Sequence, residues 1–349
     1  MKSIEQLVRK NILNLKPYTS ARDIYQDGIF LDANENSFGS VIESDIVDLN
    51  RYPDPHQKEL RKTLSEAISI SSDKIFFGVG SDEIIDLSIR IFCEPGKSNV
   101  IIPIPTYGMY QVACAVNDVE VKSVNLDENF DLNLEKTLNA IDRNTKMIFL
   151  CSPNNPTGNL LSAERIKSLA KSFEGIIFID EAYIDFSEEN SFINQISDFN
   201  NVIISRTFSK AWGLAGVRCG YCIADDFVIS LLFKIKAPYT INKLTSSAVR
   251  EAIQNSKRKN LFVKNIIEER ERLIIELSKL NFVKKIFPSA ANFLLVEMNN
   301  AKFVFDYLND KKIRVRMRSD DERLKNCLRI TVGNQDENEL LIKTLRELN

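Results

Sequence analysis

The chain contains very little histidine. Its 349 residues include a single one, His56, which follows Arg51-Tyr-Pro-Asp-Pro in a proline-rich turn. A Ser-His-Asp triad needs a histidine held beside its nucleophile, and zinc sites cluster several histidine or cysteine ligands. One histidine without a partner therefore excludes a triad and a histidine-based metal site. We expect no metal site and interpret His56 as a loop residue.

Long apolar runs and an excess of one charge are also missing. No apolar stretch approaches the roughly 18 residues that a membrane helix needs. Charged residues interrupt the first ten positions too early for the apolar core of a signal peptide. The formal net charge is −2, and no basic tail or patch is set apart for nucleic acid. We expect a cytoplasmic protein that binds neither nucleic acid nor a membrane.

Six cysteines are scattered through apolar segments, as buried thiols of a reducing compartment would be. Cys219-Gly-Tyr-Cys222 has the spacing of a redox or zinc pair. However, the sequence has no second pair, and this one lies in a predicted strand, whereas redox pairs open a helix. We therefore predict a structural role for these cysteines.

The chain is long enough to bury a full core and to form two domains. Between residue 50 and about residue 245, apolar strand-like runs alternate with helical segments, which is typical of a mostly parallel sheet flanked by helices. These runs are 75–79, 99–104, 146–151, 175–180, 201–205 and 219–224. A long charged helix near 246–280 then leads to strands near 292–297, 313–317 and 328–332. We predict a large α/β domain over 50–245 and a smaller α+β domain from 1–49, an extended arm, plus 246–349.

The segment that best indicates a reaction is Ser205-Arg-Thr-Phe-Ser-Lys210-Ala-Trp-Gly-Leu-Ala-Gly-Val-Arg218. Burial lowers the pKa of an amine, so a lysine buried in such a loop can attack a carbonyl. Thr207, Ser209 and Arg218 can bind a phosphate beside it, because charge-assisted donors hold phosphate strongly. An amine next to a phosphate site matches the needs of pyridoxal 5′-phosphate. By itself, the motif also fits a surface Ser-Lys pair before a helix.

Two further segments supply the other parts of such a site. Asn155 lies in Ser152-Pro-Asn-Asn-Pro-Thr-Gly158, a loop at the end of a predicted strand. A buried parallel strand ends at Asp180, followed by Glu-Ala-Tyr183. The Asp180 carboxylate can pair with the pyridine nitrogen and keep it protonated, so that the cofactor accepts electrons. Asn155 and Tyr183 can hydrogen-bond the ring hydroxyl. Alone, each segment also fits a common turn or a helix cap.

Glycines and a tyrosine follow two other predicted strands. Gly78-Val-Gly80-Ser81-Asp82 leads into a helical pattern, where free backbone N–H groups and the helix dipole bind phosphate. The glycines let the main chain approach closely. A dinucleotide fingerprint would need a third glycine. Tyr107 follows the strand at 99–102 and can stack on the pyridine ring, although a core or surface tyrosine fits as well.

In order and spacing, these motifs resemble those of the fold-type I, aspartate-aminotransferase-like enzymes that use pyridoxal phosphate, and more narrowly the histidinol-phosphate aminotransferases. The likeness runs from residue 16 to residue 333. It rests on the phrases Lys16-Pro-Tyr18, Asp32-Ala-Asn-Glu-Asn36, Arg51-Tyr52-Pro-Asp-Pro, Pro105-Thr-Tyr-Gly-Met-Tyr110, Ser152-Pro-Asn-Asn-Pro-Thr-Gly158, Asp180-Glu-Ala-Tyr183, Arg206-Thr-Phe-Ser-Lys210, Leu214-Ala-Gly-Val-Arg218 and Cys327-Leu-Arg-Ile-Thr-Val-Gly333.

The resemblance implies a seven-stranded large sheet and roles for residues outside the cofactor motifs. Arg329 matches the arginine that grips the substrate carboxylate, and Arg316 a second arginine that helps to hold the phosphate of histidinol phosphate. Tyr18 would line the substrate pocket. Tyr52 would reach the cofactor phosphate of the neighbouring subunit, which requires a homodimer. From the residues alone, the alternation of apolar and basic positions in 313–318 also fits a solvated edge strand.

The implied reaction exchanges an amino group between L-histidinol phosphate and 2-oxoglutarate in histidine biosynthesis. An aromatic amino-acid aminotransferase and, less readily, a threonine-phosphate decarboxylase share the same cofactor motifs and remain alternatives. A regulator that uses this fold as a ligand sensor would need a DNA-binding domain ahead of Tyr18, and we expect the few residues there to be too short for one.

Overall fold

The computed structural model describes residues 3–25, 27–42, 48–318 and 321–348, and its strands form two sheets. The larger sheet contains β1 (Ile75–Gly78), β2 (Asn99–Ile104), β3 (Glu120–Asn125), β4 (Thr145–Cys151), β5 (Ile176–Asp180), β6 (Val202–Thr207) and β7 (Gly220–Ile223). The smaller sheet contains β8 (Val283–Ile286), β9 (Phe293–Met298), β10 (Arg316–Arg318) and β11 (Cys327–Thr331).

The larger sheet is mostly parallel, as predicted. Its strand order is β1-β7-β6-β5-β4-β2-β3. The neighbours from β3 across to β6 pair in parallel, whereas β7 runs antiparallel to both β6 and β1. The sequence prediction missed the edge strand β3, because this strand mixes charged and apolar residues and most of its positions are not buried. The α/β fold class with a seven-stranded sheet is confirmed.

Helices cover both faces of this sheet. One apolar layer packs α4, α8 and α10 against the strands, and the opposite layer packs α5, α6 and α9. The helices are α1 (Ile4–Leu7), α2 (Lys10–Leu13), α3 (Ala21–Ile24), α4 (Lys58–Ile68), α5 (Gly80–Phe92), α6 (Met109–Val116), α7 (Leu134–Asn139), α8 (Ala163–Ser172), α9 (Asp226–Ile235), α10 (Lys243–Gln254), α11 (Ser256–Leu277), α12 (Ala301–Asp310) and α13 (Gln335–Arg346). Within the described part of the chain, none of them is both long and apolar enough to cross a membrane.

The smaller sheet is antiparallel, in the order β10-β11-β9-β8, and α11, α12 and α13 bury its apolar face. The single helix predicted near 246–280 is wrong, because the chain forms two helices that separate at Asn255. The backbone of Asn255 leaves the helical region (φ −95°, ψ 26°), and its side-chain amide donates to the Glu251 carbonyl. Val249 of α10 packs with the larger sheet and Leu273 of α11 with the smaller one.

Candidate active site

Most of the predicted site residues meet at one cavity of about 160 Å³, beyond the carboxyl ends of the parallel strands. Ligands bind at this edge in open α/β sheets, because successive strands end there and their loops converge. The predicted residues that line the cavity are Ser81, Asp82, Tyr107, Asn155, Asp180, Tyr183, Thr207, Ser209, Lys210 and Arg218.

Asp180, the last residue of β5, presents a buried carboxylate to the cavity (2% exposed). Its Oδ2 accepts a hydrogen bond from the Tyr110 hydroxyl at 2.7 Å, and its Oδ1 accepts one from the Ala182 backbone N–H at 3.0 Å. Burial raises the pKa of Asp180 to about 6, although both hydrogen bonds oppose the rise. The sequence alone indicates no role for Tyr110, because a tyrosine in an apolar helical run is typical of a core residue.

Lys210 follows β6 and points into the cavity, where its side chain is exposed and not buried as the sequence analysis expected. The surrounding protein nevertheless displaces part of the water around the amine. This desolvation lowers the pKa of Lys210, and the positive charge of Arg329 lowers it further, while Asp180 opposes both. The Lys210 Nζ atom lies 5.4 Å from the centre of the Tyr183 ring. The amine is thus open to a ligand and shifted towards its nucleophilic form.

A concave surface next to Lys210 is built from close backbone approaches. Gly80 opens α5 with φ +73°, and a Cβ atom there would lie 2.8 Å from Nη2 of Arg218. A Cβ on Gly220 would lie 2.6 Å from the backbone nitrogen of Ser81. The Gly220 distance leaves no room for a side chain, because the facing atoms belong to the backbone, and the positive φ of Gly80 favours glycine there. The free N–H groups at the start of α5 and the Arg218 guanidinium therefore converge on one small volume, which suits an anion.

Four further polar side chains surround this surface. The Thr207 hydroxyl donates to Ser209 Oγ at 3.0 Å and accepts the Ser209 backbone N–H. Nη2 of Arg218 lies 3.6 Å from an oxygen of Asp82, whose other oxygen accepts the Tyr107 hydroxyl at 3.2 Å. The Arg218 guanidinium is half exposed and, among the described residues, makes only this long ion pair and a hydrogen bond from Nη1 to the Ala215 carbonyl at 3.3 Å. It is therefore available to an added anion.

Arg329 connects the smaller sheet to the cavity. It lies in β11, and its Nη1 donates to Asn155 Oδ1 at 2.6 Å. Arg316 of β10 is the cross-strand partner of Arg329, so the two side chains share one face of the sheet. Arg316 itself is exposed and does not line the cavity. Arg329 thus reaches the cavity wall through Asn155, and Arg316 lies beside it on the same face of the smaller sheet.

The two predicted tyrosines near the N-terminus lie outside this chain's own cavity. Tyr18 is 77% exposed, in a groove that also contains His56 and Phe233. Tyr52 is 47% exposed and stacks on Tyr239, with ring centres 4.5 Å apart. The roles predicted for both remain predictions. In the same groove, Nε2 of His56 lies 2.7 Å from a carboxylate oxygen of Asp23.

An ionic network that the sequence analysis missed lies directly behind the site. Arg206 of β6 donates to Glu181 at 3.0 Å and to Ser191 at 2.6 Å, and both charged side chains are almost fully buried. Glu181 also accepts the backbone N–H of Phe192 at 2.7 Å. The motifs contain Glu181 and Arg206 beside Asp180 and Lys210, but sequence spacing alone does not show that they pair.

The cysteines contribute little to the cavity. All six are buried and free, and only Cys151 lines the cavity wall. Burial raises the pKa of Cys219 to about 12, which keeps it a thiol at neutral pH. In the described residues, no group of histidine, cysteine and carboxylate side chains has the arrangement of a metal site.

Comparison with known proteins gives the family. The profile of "Aminotransferase class I and II" matches residues 26–345. A curated histidinol-phosphate aminotransferase of Cytophaga hutchinsonii is 46% identical over 346 residues, which cover 99% of each chain. The chain belongs to the histidinol-phosphate aminotransferases.

Two solved structures of family members agree with this assignment. The histidinol-phosphate aminotransferase of Clostridium acetobutylicum is 26% identical and superposes with a TM-score of 0.78, covering 86% of this chain and 91% of its own. That of Sinorhizobium meliloti, determined in complex with pyridoxal 5′-phosphate, is 25% identical with a TM-score of 0.78, covering 86% of this chain and 84% of its own.

Proposed function

We propose that this aminotransferase uses pyridoxal 5′-phosphate to transfer the amino group of L-histidinol phosphate to 2-oxoglutarate, a step of histidine biosynthesis. The proposal rests above all on one observation. The amine of Lys210 and the buried carboxylate of Asp180 line the same cavity as an anion-binding surface made by Arg218 and the start of α5. Relatives that carry the name of this activity align with the chain from end to end.

The side chains present fit the cofactor. Asp180 supplies a negative charge for the ring nitrogen, and Arg218, Ser209 and the N–H groups of α5 supply donors for the phosphate. Ser81, Asp82 and Thr207 complete the phosphate end, and Tyr107 supplies a ring to stack on the pyridine. When bound, pyridoxal phosphate supplies an aldehyde that exchanges amino groups and a pyridinium ring that accepts electrons.

Lys210 and Asp180 divide the protein's part of the chemistry. Nζ of Lys210 would hold the aldehyde end of the cofactor. When that amine is free, it would act as the general acid and base that accepts a proton and returns it. Asp180 stays ionised and keeps the ring nitrogen protonated. Asn155 and Tyr183 hydrogen-bond the ring hydroxyl. The lowered pKa of Lys210 suits this role, because a base must be unprotonated near neutral pH to accept a proton.

Arg316 and Arg329 select the substrate. Their guanidinium groups lie on one face of the smaller sheet and can grip a dianionic phosphate, or the carboxylates of glutamate, by bidentate hydrogen bonds. Tyr18, which lies in a separate groove of its own chain, would line the substrate pocket in the assembled enzyme. An aromatic amino acid offers no phosphate to Arg316, which disfavours the aromatic aminotransferase as an alternative. A threonine-phosphate decarboxylase would need the same phosphate contact, but the curated relatives are named for transamination.

The chain acts as a homodimer in which Tyr52 reaches the cofactor phosphate of the other subunit. The arm exposes several large apolar side chains that a second copy would cover, among them Ile29 (91% exposed), Leu31 (81%) and Val41. Residues 50–245 form the cofactor-binding domain, and residues 1–49 and 246–349 form the arm and the small domain. A cytoplasmic location agrees with six buried, free thiols.

Specificity constants for histidinol phosphate and for tyrosine, each with 2-oxoglutarate, test the function directly. We expect a preference for histidinol phosphate, and a preference for tyrosine would assign the aromatic activity instead. Arg316→Ala should shift the ratio of the two constants towards tyrosine by about ten- to a hundredfold, since a charge-assisted contact is lost. Arg314→Ala is the matched control, because Arg314 is exposed and bonds to Asn309. An unchanged ratio in Arg316→Ala would contradict the phosphate contact.

A further inference from the structure

Tyr110 is the one fully buried hydroxyl that contacts the cavity's central carboxylate within the described residues. It lies in the first turn of α6, three residues after Tyr107, and is 0% exposed. Its ring stacks on Phe149, with centres 5.1 Å apart and planes inclined by 15°, and meets the edge of Tyr107. Packing on two sides fixes the ring, and its hydroxyl donates to Asp180 Oδ2 at 2.7 Å, with the Cys151 thiol also within hydrogen-bonding reach.

The Asp180 carboxylate depends on a small number of donors. It is buried, its Oδ1 has the Ala182 backbone N–H, and its Oδ2 has Tyr110. Burial favours the neutral acid and raises the pKa of Asp180, and the charge of Asp82 adds to the rise. Tyr110 and the charge of Lys210 act in the opposite direction. The titratable groups facing this carboxylate are Tyr110, Tyr107, Cys151, Tyr183, Asp82 and Lys210.

We propose that Tyr110 is a positioning residue for Asp180: its buried hydroxyl holds the carboxylate in one orientation and stabilises its charge opposite the ring nitrogen of the cofactor. The inference rests on the role of Asp180 proposed above and extends it to a side chain outside the cavity lining. Without Tyr110, one carboxylate oxygen would be buried without a donor, and the carboxyl group would be protonated at a higher pH.

The alternative is that Tyr110 only fills space in the core. Tyr110→Phe separates the two roles, because it keeps the ring and its packing and removes only the hydroxyl. If Tyr110 only fills space, its substitution should change the affinity for every ligand of the cavity alike. If Tyr110 supports the charge of Asp180, the substitution should weaken only ligands that have a protonated ring nitrogen beside that charge.

The test compares two cofactors. The full chain, freed of cofactor, is titrated at pH 7.5 with pyridoxal phosphate and with its 1-deaza analogue, which has a C–H group in place of the ring nitrogen. We expect Tyr110→Phe to reduce the preference for pyridoxal phosphate over the analogue by about three- to tenfold, because one hydrogen bond that stabilises the ionised carboxylate is lost. The loss should shrink as the pH is raised, because a higher pH returns the variant carboxyl to its ionised form. An equal loss of affinity for both ligands, or none for either, would overturn the proposal.

Two further variants show whether the change in ligand preference is specific to the contact between Tyr110 and Asp180. Tyr221→Phe removes another buried tyrosine hydroxyl, one that meets Arg206 and not Asp180, and should leave the preference unchanged. Asp180→Asn should abolish the preference. If it does not, the role of Asp180 itself is wrong, which is distinct from a failure confined to Tyr110. Should Tyr110→Phe not fold, 4-aminophenylalanine at position 110 offers a weaker donor of similar shape. The preference should then fall by a smaller factor, and an unchanged preference would overturn the proposal.

Discussion

At the scale of single residues, the site places two ionisable groups of opposite sign at one cavity and moves both pKa values towards neutrality. Burial raises the pKa of Asp180 to about 6, and desolvation together with Arg329 lowers that of Lys210. Each change costs the folded protein some stability, because it disfavours the charged form. Such costs are typical of functional positions, where the chemistry requires the altered group.

Lys210→Ala should lose turnover by several orders of magnitude, because no other amine in the cavity lining can bind the aldehyde or move the proton. Cofactor should still bind through the Arg218 surface, which the substitution does not touch. Borohydride reduction of the wild type followed by peptide mapping checks the assignment, and we expect the cofactor on the peptide that contains Lys210. Label on another lysine would show that the assignment is wrong.

Asp180→Asn should slow turnover by at least about a hundredfold. The same substitution should stabilise the cofactor-free protein by on the order of 2 kcal/mol at pH 7.5. The folded pKa of Asp180 lies above its unfolded value, so the wild type gains stability as pH falls from about 6 towards 4. The stability advantage of the variant should therefore narrow over that range. Denaturant unfolding of both proteins at several pH values measures this difference in the free energy of unfolding. A variant that is less stable than the wild type at every pH would contradict the burial cost.

At the scale of elements, the ends of β5 and β6 are held together behind the cavity by the buried Glu181–Arg206 pair. Removing one partner of a buried pair leaves an uncompensated charge, so Arg206→Met should destabilise the protein by about 3–5 kcal/mol. The double variant with Glu181→Gln should recover part of that loss. Lys302→Met, which breaks an exposed pair with Asp306 on α12, is the control and should cost less than about 1 kcal/mol. If Arg206→Met and Lys302→Met destabilised the protein equally, that result would argue against a buried Glu181–Arg206 pair.

The elements also show what the sequence can reveal. The apolar runs located β2 and β4–β6 because a parallel strand covered on both faces reads as a continuous hydrophobic stretch. The same criterion missed β3, an edge strand with charged side chains. Residues adjacent in a motif, such as Asp180 and Tyr183, were found at the site. Tyr110 and the Glu181–Arg206 pair were not assigned roles, because contacts between residues distant in the chain arise only once the sheet has formed.

At the scale of the whole molecule, the exposed position of Tyr52 predicts that each active site combines residues of two subunits. We expect mixtures of Lys210→Ala and Tyr52→Ala chains, unfolded and refolded together, to regain activity, since about a quarter of all sites in random dimers would combine an intact Lys210 with an intact Tyr52. Activity of the separately refolded variants is the baseline. If Tyr52 acted within its own chain, mixing would add nothing to that baseline.

The burial of every cysteine has a practical consequence for following this enzyme in motion. All six thiols lie in the described part of the chain and are closed to solvent. A cysteine introduced at an exposed position, such as Ser278→Cys at the end of α11, would then be the only thiol that reacts rapidly with a maleimide dye. Single-site fluorescent labelling therefore needs no prior removal of native cysteines. The slow reaction of the native thiols would in turn report how often each sheet opens.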